Sequence, residues 1–273
     1  STPLYSSAAS DVYKRQERVQ EEIKRKIAKL KKAVPKKIKR EQMFFVEKEG
    51  AGQVLIFGFP NSGKTSLLNS LCQTNFKVGD WPFTTKFPTP AMMKFENLLI
   101  QIVDLPPITK DFKPGWIKNL AKQADLILVL LDLAEKTEEQ LKEIQEILRE
   151  WEIEKEKVLI VGNKIDHHLA KEVPQVFSVS AKEKIGIEEL KKKIFEALKI
   201  VRVYTKKPKE KIDFENPFVL KKGTKLIELV EEINKEWSQK FRGAKLYDKD
   251  LKTFRIVGRD YVLKDGDIIE IKV

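Results

Sequence analysis

The 273-residue sequence has little of what three large classes of protein require. Its one cysteine, Cys72, has no second thiol for an internal disulfide, which excludes a disulfide scaffold and favours a reducing compartment. Two adjacent histidines and one thiol do not by themselves make a structural zinc site. The longest aliphatic run, Leu126–Leu131, is far shorter than the about 20 apolar residues of a membrane span. It is typical of a buried strand, so we expect no association with a membrane.

The charge of the chain is positive and unevenly distributed. It contains 53 Lys and Arg against 41 Asp and Glu, a formal net charge of +12. Residues 17–42 carry 11 basic and 4 acidic side chains, and residues 201–273 carry 18 and 13, so these two stretches hold the whole surplus. Basic ends around a neutral centre favour an anionic partner such as RNA. A solvated, lysine-rich surface, as in heat-adapted proteins, explains the same counts equally well.

Composition and periodicity divide the chain into four segments. Residues 1–16 have neither periodicity nor the apolar core of a signal peptide, and we interpret them as a non-native or disordered leader. Residues 17–49 form a basic segment with one apolar stripe at helical spacing, stopped near Pro35. This helix either docks on a partner or merely caps the protein. Residues 50–200 and 201–273 carry the patterns of two folded domains.

The segment 50–200 alternates short apolar runs with amphipathic helical patterns, which predicts an α/β domain with a mostly parallel sheet and helices on both faces. The predicted strands are Val54–Phe57, Leu98–Val103, Leu126–Leu131, Val158–Val161 and Val176–Val179. The predicted helices are Thr65–Gln73, Gly115–Gln123, Thr137–Trp151 and Ile187–Lys199. In such sheets ligands bind beyond the carboxyl ends of the strands.

The C-terminal segment predicts a small α+β domain in which one helix, Thr224–Trp237, lies on a mixed sheet. We expect Trp237 and Phe241 to pack in its core. The predicted strands are Val201–Thr205, Pro217–Leu220, Ala244–Tyr247, Phe254–Ile256 and Ile268–Val273.

A phosphate-binding pattern follows the first predicted strand. Residues Gly58 to Thr65 match GxxxxGK[ST] between a strand and a helix, where curled backbone N–H groups and the helix N-terminus can hold phosphates. Lys64 would reach the β and γ phosphates, and the Thr65 hydroxyl would bind Mg²⁺. The pattern is shared by ATPases and GTPases. The nucleotide-binding residues predicted here are Gly58, Asn61, Ser62, Gly63, Lys64, Thr65 and Ser66.

Two later loops indicate which nucleobase the site would bind. Asn163, Lys164 and Asp166 directly follow a predicted strand, and a carboxylate at Asp166 can accept both N1–H and the 2-amino group of guanine, a donor pair that adenine lacks. Asn163 would support the loop, and the Lys164 stem would lie over the base. After the next strand, the loop Ser180-Ala181-Lys182 could offer a backbone amide to the guanine O6.

Together these motifs resemble a known family. GFPNSGKT, WPFTTKFPTP, DLPP, NKID and SAK resemble the Obg family of GTPases in the translation-factor class, in particular its developmentally regulated GTP-binding (DRG) branch. VRVYTKKPKEK, VLKKGTKLIELVEEINKE and VLKDGDIIEI resemble its C-terminal TGS domain, a β-grasp fold. The resemblance implies a P-loop GTPase domain at 50–200, a TGS domain at 201–273, and a cytoplasmic GTPase acting near ribosomes or RNA. A protein cofactor could bind the TGS domain or the N-terminal helix.

The resemblance also implies roles for single residues. Thr85 would be the switch I threonine that binds Mg²⁺ when GTP is present, and Asp104 would hold the same ion through water. Asn61 would help to bind K⁺, which can substitute for an arginine finger. The implied catalytic residues are therefore Lys64, Thr85 and Asn61, and the implied metal site is Thr65, Thr85 and Asp104. Ile108 falls where Ras-like proteins place a catalytic glutamine, so hydrolysis would not use that side chain.

Three departures from the family pattern affect the expected activity. The family has Asp-x-Pro-Gly where this chain has Asp104-Leu-Pro-Pro107, and proline lacks the N–H that the glycine would donate to the γ-phosphate. Switch II is short, and the stretch from Asp132 to Lys164 has no room for the domain that the DRG branch inserts there. We expect a compact relative that hydrolyses GTP slowly. The alternative is a guanine-nucleotide-binding assembly module with little or no hydrolysis.

Overall fold

The computed structural model describes residues 44–75, 87–208 and 210–272. The leader predicted at 1–16 lies outside these residues and remains a prediction, as does the part of the basic helical segment predicted at 17–49 that precedes residue 44. Residues 44–49 are described and contain no helix, so the predicted helical segment does not extend to residue 49. Within the described residues, every helix is too short or too polar to cross a bilayer.

The first sheet has six strands in the order β2-β3-β1-β4-β5-β6, and all pairs are parallel except that of β2 with β3. The predicted α/β fold class is confirmed. The strands are β1 (Gln53–Gly58), β2 (Thr89–Phe95), β3 (Leu98–Asp104), β4 (Leu126–Asp132), β5 (Val158–Asn163) and β6 (Phe177–Ser178). The helices are α1 (Lys64–Cys72), α2 (Gly115–Gln123), α3 (Thr137–Glu150) and α4 (Ile187–Leu198).

Two apolar cores cover the two faces of this sheet. Along β1, Val54 and Ile56 join the core beneath α1 and α4, whereas Leu55 and Phe57 join the core beneath α2 and α3. All four side chains are fully buried. A strand buried on both faces must be apolar at every position, which is why these strands read as continuous hydrophobic runs. Most polar side chains of these strands therefore lie at strand ends; the exception is Gln101 in the middle of β3, whose side-chain oxygen accepts from the buried Gln53 side chain at 2.8 Å.

The sequence did not predict β2, the antiparallel strand at the sheet edge. Its register pairs Thr89 with Asp104 and Phe95 with Leu98, so a tight turn at Glu96 and Asn97 joins it to β3. Pro90 and half-exposed side chains hide the usual strand pattern, and both are tolerated on an edge strand.

The C-terminal sheet has the order β10-β9-β11-β7-β8, and one short helix packs on it through apolar side chains, whereas a second short helix contributes no buried residue. Its elements are β7 (Ile200–Thr205), β8 (Phe218–Lys221), α5 (Leu226–Ile233), α6 (Lys235–Lys240), β9 (Gly243–Tyr247), β10 (Phe254–Val257) and β11 (Asp267–Lys272). The prediction of one helix from Thr224 to Trp237 was wrong, because the Asn234 side chain caps a new helix by accepting from the N–H groups of Glu236 and Trp237. Trp237 lies 39% exposed, contrary to prediction, whereas Phe241 is buried as predicted.

A polar contact joins the two sheets. The guanidinium of Arg202 on β7 binds both carboxylate oxygens of Asp265, and it also bonds to Glu96 and to the Asn97 side chain at the tip of the β2–β3 turn. The Asn97 amide in turn donates to the hydroxyl of Tyr204 at 2.7 Å. The tip of the β2–β3 turn therefore contacts the C-terminal domain through the largely buried guanidinium of Arg202 and through the Asn97 amide.

Candidate functional site

The phosphate loop lies between the end of β1 and the start of α1, and two of its glycines have no room for a side chain. Gly63 has φ 90°, and a Cβ there would lie 2.3 Å from the Asn163 side-chain nitrogen. A Cβ on Gly58 would lie 2.7 Å from the carbonyl oxygen of Leu130. The backbone of this loop is thus packed directly against neighbouring strand ends, as a loop that wraps phosphates must be.

Lys64 is the first residue of α1, and its side chain is almost completely buried. The ammonium folds over the loop and donates to the carbonyl oxygen of Phe59 at 3.0 Å. Burial lowers the pKa of Lys64 to about 8, and the nearby Asp104 carboxylate opposes part of that change. A buried ammonium with one neutral acceptor would gain an ionic partner when phosphate enters the loop.

Thr65 and Asp104 meet at the other side of the loop. The Thr65 hydroxyl donates to an Asp104 carboxylate oxygen at 2.6 Å, and Asp104 ends β3 with 1% of its surface exposed. A hydroxyl and a carboxylate beside a phosphate loop are the hard oxygen ligands that Mg²⁺ prefers, so the donor set fits that ion. Thr85, the third residue expected to bind the ion, lies outside the described residues.

The segment predicted to be switch II begins with three buried residues that have no free backbone N–H for a phosphate. Pro106 and Pro107 have no N–H, and the N–H of Ile108 donates to the carbonyl oxygen of Gly58 at 3.1 Å. The Ile108 side chain is fully buried in the core beneath α2 and α3. The start of switch II is therefore bonded to the phosphate loop itself.

The rest of this predicted switch II segment is bonded to α3. The backbone N–H of Lys110 donates to Glu143 at 2.8 Å, and its ammonium pairs with Glu146 at 2.9 Å. Lys113 pairs with Glu150 one turn further along. Each exposed pair contributes little alone, yet together they fix the course of the loop along one helix.

Asn163 connects the predicted base-binding loops to the phosphate loop. Its side-chain nitrogen donates to the carbonyl oxygen of Ser62 at 2.9 Å, and its side-chain oxygen accepts from the N–H of Ala181 at 3.0 Å. Asn163 is 3% exposed, so both bonds are shielded from water. Three loops that are far apart in sequence are held together by this one amide.

The neighbouring residues of the guanine motif are open to solvent on one side. Asp166 is exposed. Lys164 has φ 68°, and its ammonium donates to a carboxylate oxygen of Asp132 at 2.5 Å. Sequence reasoning missed Asp132, although its position at the end of β4, next to β5 in the sheet, was a usable signal. Asp132 is buried, and its backbone is bound by the Gln140 side chain. The carboxylate of Asp132 therefore fixes the position of the Lys164 side chain.

The loop after β6 is fixed to α1. The Ser70 hydroxyl donates to the Ala181 carbonyl oxygen at 2.7 Å, and the Ser180 hydroxyl accepts from the N–H of Glu183 at 3.0 Å. Ser180 and Ala181 are buried, whereas Lys182 is exposed.

The remaining predicted residues lie along the phosphate loop. The Ser62 hydroxyl donates to the Phe59 carbonyl oxygen at 3.0 Å, and Asn61 is exposed with φ 62°. Ser66 is half-buried in the first turn of α1.

Both domains of the chain match families of known proteins. Residues 53–164 match the family described as 50S ribosome-binding GTPase, and residues 201–273 match the TGS domain. The human developmentally regulated GTP-binding protein 2 is 24% identical, with 84% of each chain covered. A GTP-binding protein of Methanocaldococcus jannaschii is 25% identical, with 84% of this chain and 80% of the relative covered. The chain thus joins a domain that matches this GTPase family to a TGS domain, and it is similar to developmentally regulated GTP-binding proteins.

Within the aligned stretch, this chain lacks segments that a relative contains. The alignment to the Methanocaldococcus jannaschii protein runs over 313 positions, more than the 273 residues of this chain, because the relative contains segments that this chain lacks. Between Asp132 and Lys164 lie only α3, the short turn of helix Lys155–Lys157 and β5, so no domain is inserted there. Among solved structures, the G domain of the T. maritima FeoB iron transporter is 31% identical, covering 54% of this chain and 98% of that chain, with a TM-score of 0.42.

Proposed function

We propose that this protein is a DRG-type GTPase, a molecular switch that binds GTP and GDP with Mg²⁺ and hydrolyses GTP slowly. The observation that carries the proposal is the Asn163 side chain, which binds the phosphate loop at Ser62 and the loop of Ala181 at once. A guanosine polyphosphate is the ligand whose base and phosphates would contact all three loops.

The proposal assigns roles to the main predicted residues. Lys64 and the N–H groups of the phosphate loop bind the phosphates, and Asp166 accepts from the guanine edge. The Lys164 stem covers the base, and the Ala181 loop faces O6. Mg²⁺, held by Thr65, Asp104 and the switch I residue Thr85, would neutralise charge on the β and γ phosphates.

We propose slow hydrolysis because switch II offers the γ-phosphate few donors. Two prolines lack N–H groups, and the N–H of Ile108 is already bonded to Gly58. A missing charge-assisted hydrogen bond costs about 1–3 kcal/mol of selective binding. Asn61, exposed at the loop, is proposed to help hold K⁺, which would offset part of that loss by placing positive charge beside the phosphates.

The proposed partner is the ribosome or RNA, in a cytoplasmic setting. One relative, 23% identical over 84% of each chain, is the ribosome-interacting GTPase 1 of Saccharomyces cerevisiae. The basic segments 17–49 and 201–273 supply the charge that RNA phosphates attract. We propose that residues 50–200 form the switch and that these two segments form the contacts. A protein cofactor bound to the TGS domain or to the N-terminal segment remains part of the proposal.

Single-turnover hydrolysis of GTP, measured in K⁺ and in Na⁺ buffers, tests the proposal. A slow rate that K⁺ stimulates is the expected result. The second candidate function, an assembly module without turnover, is favoured by Pro107. It predicts tight GDP binding with no measurable hydrolysis in either buffer, and that result would contradict the proposed enzyme.

A further inference from the structure

The connection from β5 to β6 leaves part of the first sheet uncovered. Residues 164–176, all of which the structure describes, contain no helix, although β5 and β6 are parallel neighbours. The helices α2 and α3 cover one face of this sheet. Among the described residues, no further helix lies beside α3 on that face to cover β5 and β6. Parallel sheets normally have both faces covered by helices.

A groove of about 520 Å³ lies at this uncovered position. One wall is one side of α3, and the floor includes two alternate residues of β5, Val158 and Ile160, which remain half-exposed. The described residues that line it are Val129, Ile144, Gln145, Leu148, Arg149, Ile153, Lys155, Val158 and Ile160. A trough between a helix and a strand face is the shape that receives a second helix on a sheet.

The charges around the groove favour an occupying helix of one charge over another. Arg149 and Lys155 are exposed on its rim, and no described residue in its lining is acidic. The amphipathic segment 17–42 of the same chain carries a surplus of seven positive charges, so it would bring like charges to this rim. A helix with acidic flanks would meet charges of opposite sign there.

We propose that the groove beside α3 and β5 is a docking site for an amphipathic helix of a partner protein, with apolar anchors at i, i+4 and i+7 and acidic residues on its flanks. The site is separate from the nucleotide pocket, and it does not depend on GTP hydrolysis. The apolar anchors bury Val158 and Ile160, and the acidic flanks pair with Arg149 and Lys155.

Binding of two synthetic peptides to the full chain tests this proposal. Both are helices of about 18 residues with leucine anchors, long enough to be helical in water; one has Glu flanks and the other has Lys flanks. Fluorescence anisotropy should show that the Glu-flanked peptide binds about tenfold more tightly or better. Ile160→Glu should weaken that binding about tenfold, whereas Leu99→Glu, at an exposed position on β3, should leave it unchanged.

Reversing the two positive charges on the rim tests the preference between the peptides without changing the apolar residues of the groove. Arg149→Glu with Lys155→Glu changes two exposed residues, so folding should be preserved, and the preference should invert towards the Lys-flanked peptide. Equal binding of both peptides, absent binding, or a preference that survives the reversal would overturn the proposal.

Two further outcomes identify other occupants and also overturn it. A dimer in sedimentation equilibrium that Ile160→Glu dissociates would assign the groove to a second copy of the chain. In Ile160→Cys, the new thiol should react with a disulfide reagent much faster than Cys72, whose thiol pKa is raised to about 12 by burial. If both thiols react equally slowly, the chain itself covers the groove.

Discussion

The side-chain nitrogen of Asn163 donates to the carbonyl oxygen of Ser62 across 101 positions of sequence, at 2.9 Å. The bond joins the end of β5 to the phosphate loop, which belong to different motifs. Because the Asn163 oxygen also accepts from Ala181, one amide sets the spacing between the two base-binding loops and the phosphate loop. The pocket therefore depends on a residue that need not touch the phosphates.

Asn163→Ala should weaken both folding and nucleotide binding. Removing the amide leaves the Ser62 carbonyl and the Ala181 N–H without these buried partners, at a cost of about 1–3 kcal/mol in the free energy of unfolding. Urea unfolding and GDP titration measure the two effects. Asn216→Ala, at an exposed loop position, is the matched control and should change neither. A wild-type GDP affinity in Asn163→Ala would show that the bridge is not needed.

Lys64→Ala should abolish measurable nucleotide binding, because the buried ammonium is the main positive charge inside the phosphate loop. Fluorescence titration with a labelled GDP measures the loss. Lys192→Ala, an exposed lysine on α4, is the control for removal of one positive charge and should bind normally. Near-normal affinity in Lys64→Ala would contradict the assignment of the loop.

Asp166→Asn should shift base preference from guanine towards xanthine. An amide at this position offers a donor where the carboxylate accepted, and xanthine presents an oxygen where guanine presents its 2-amino group. Competition between GDP and XDP for the same labelled nucleotide measures the shift. If the variant keeps the GDP preference of the wild type, Asp166 does not read the base.

Arg202→Met should destabilise the contact between the two domains by about 1–2 kcal/mol, because a largely buried guanidinium loses charge-assisted bonds to Asp265, Glu96 and Asn97. Lys222→Met, on the exposed surface after β8, is the control. A double-mutant cycle with Glu96→Gln should give a non-zero coupling energy in urea unfolding. Strict additivity would mean that the pair contributes nothing to stability.

Much of the central fold could be predicted because its strands are buried on both faces. The continuous apolar run at Leu126–Leu131 has no alternative to a central strand, and the observed β4 adds only Asp132. The phosphate loop was equally predictable from its glycine pattern, because Gly58 and Gly63 lie where a Cβ would clash. Hydrophobic burial and backbone sterics are local enough to be read from sequence.

Features that depend on tertiary contacts could not be predicted. β2 is an edge strand whose pairing with β3, not its own pattern, defines it. The break between α5 and α6 depends on the side-chain rotamer of Asn234, which caps one helix at the end of another. The contact between Lys164 and Asp132 depends on β4 and β5 being neighbours in the sheet. The sequence motif that contains Lys164 does not indicate this arrangement.

Competition for one bound, labelled GDP by unlabelled GDP, ADP and XDP tests most directly whether these loops form a guanine-nucleotide pocket. We predict that GDP displaces the label at concentrations about a hundredfold or more below those of ADP, since adenine cannot supply the donor pair that Asp166 accepts. Displacement by ADP as readily as by GDP, or no binding of labelled GDP by the wild-type chain, would contradict the existence of that pocket.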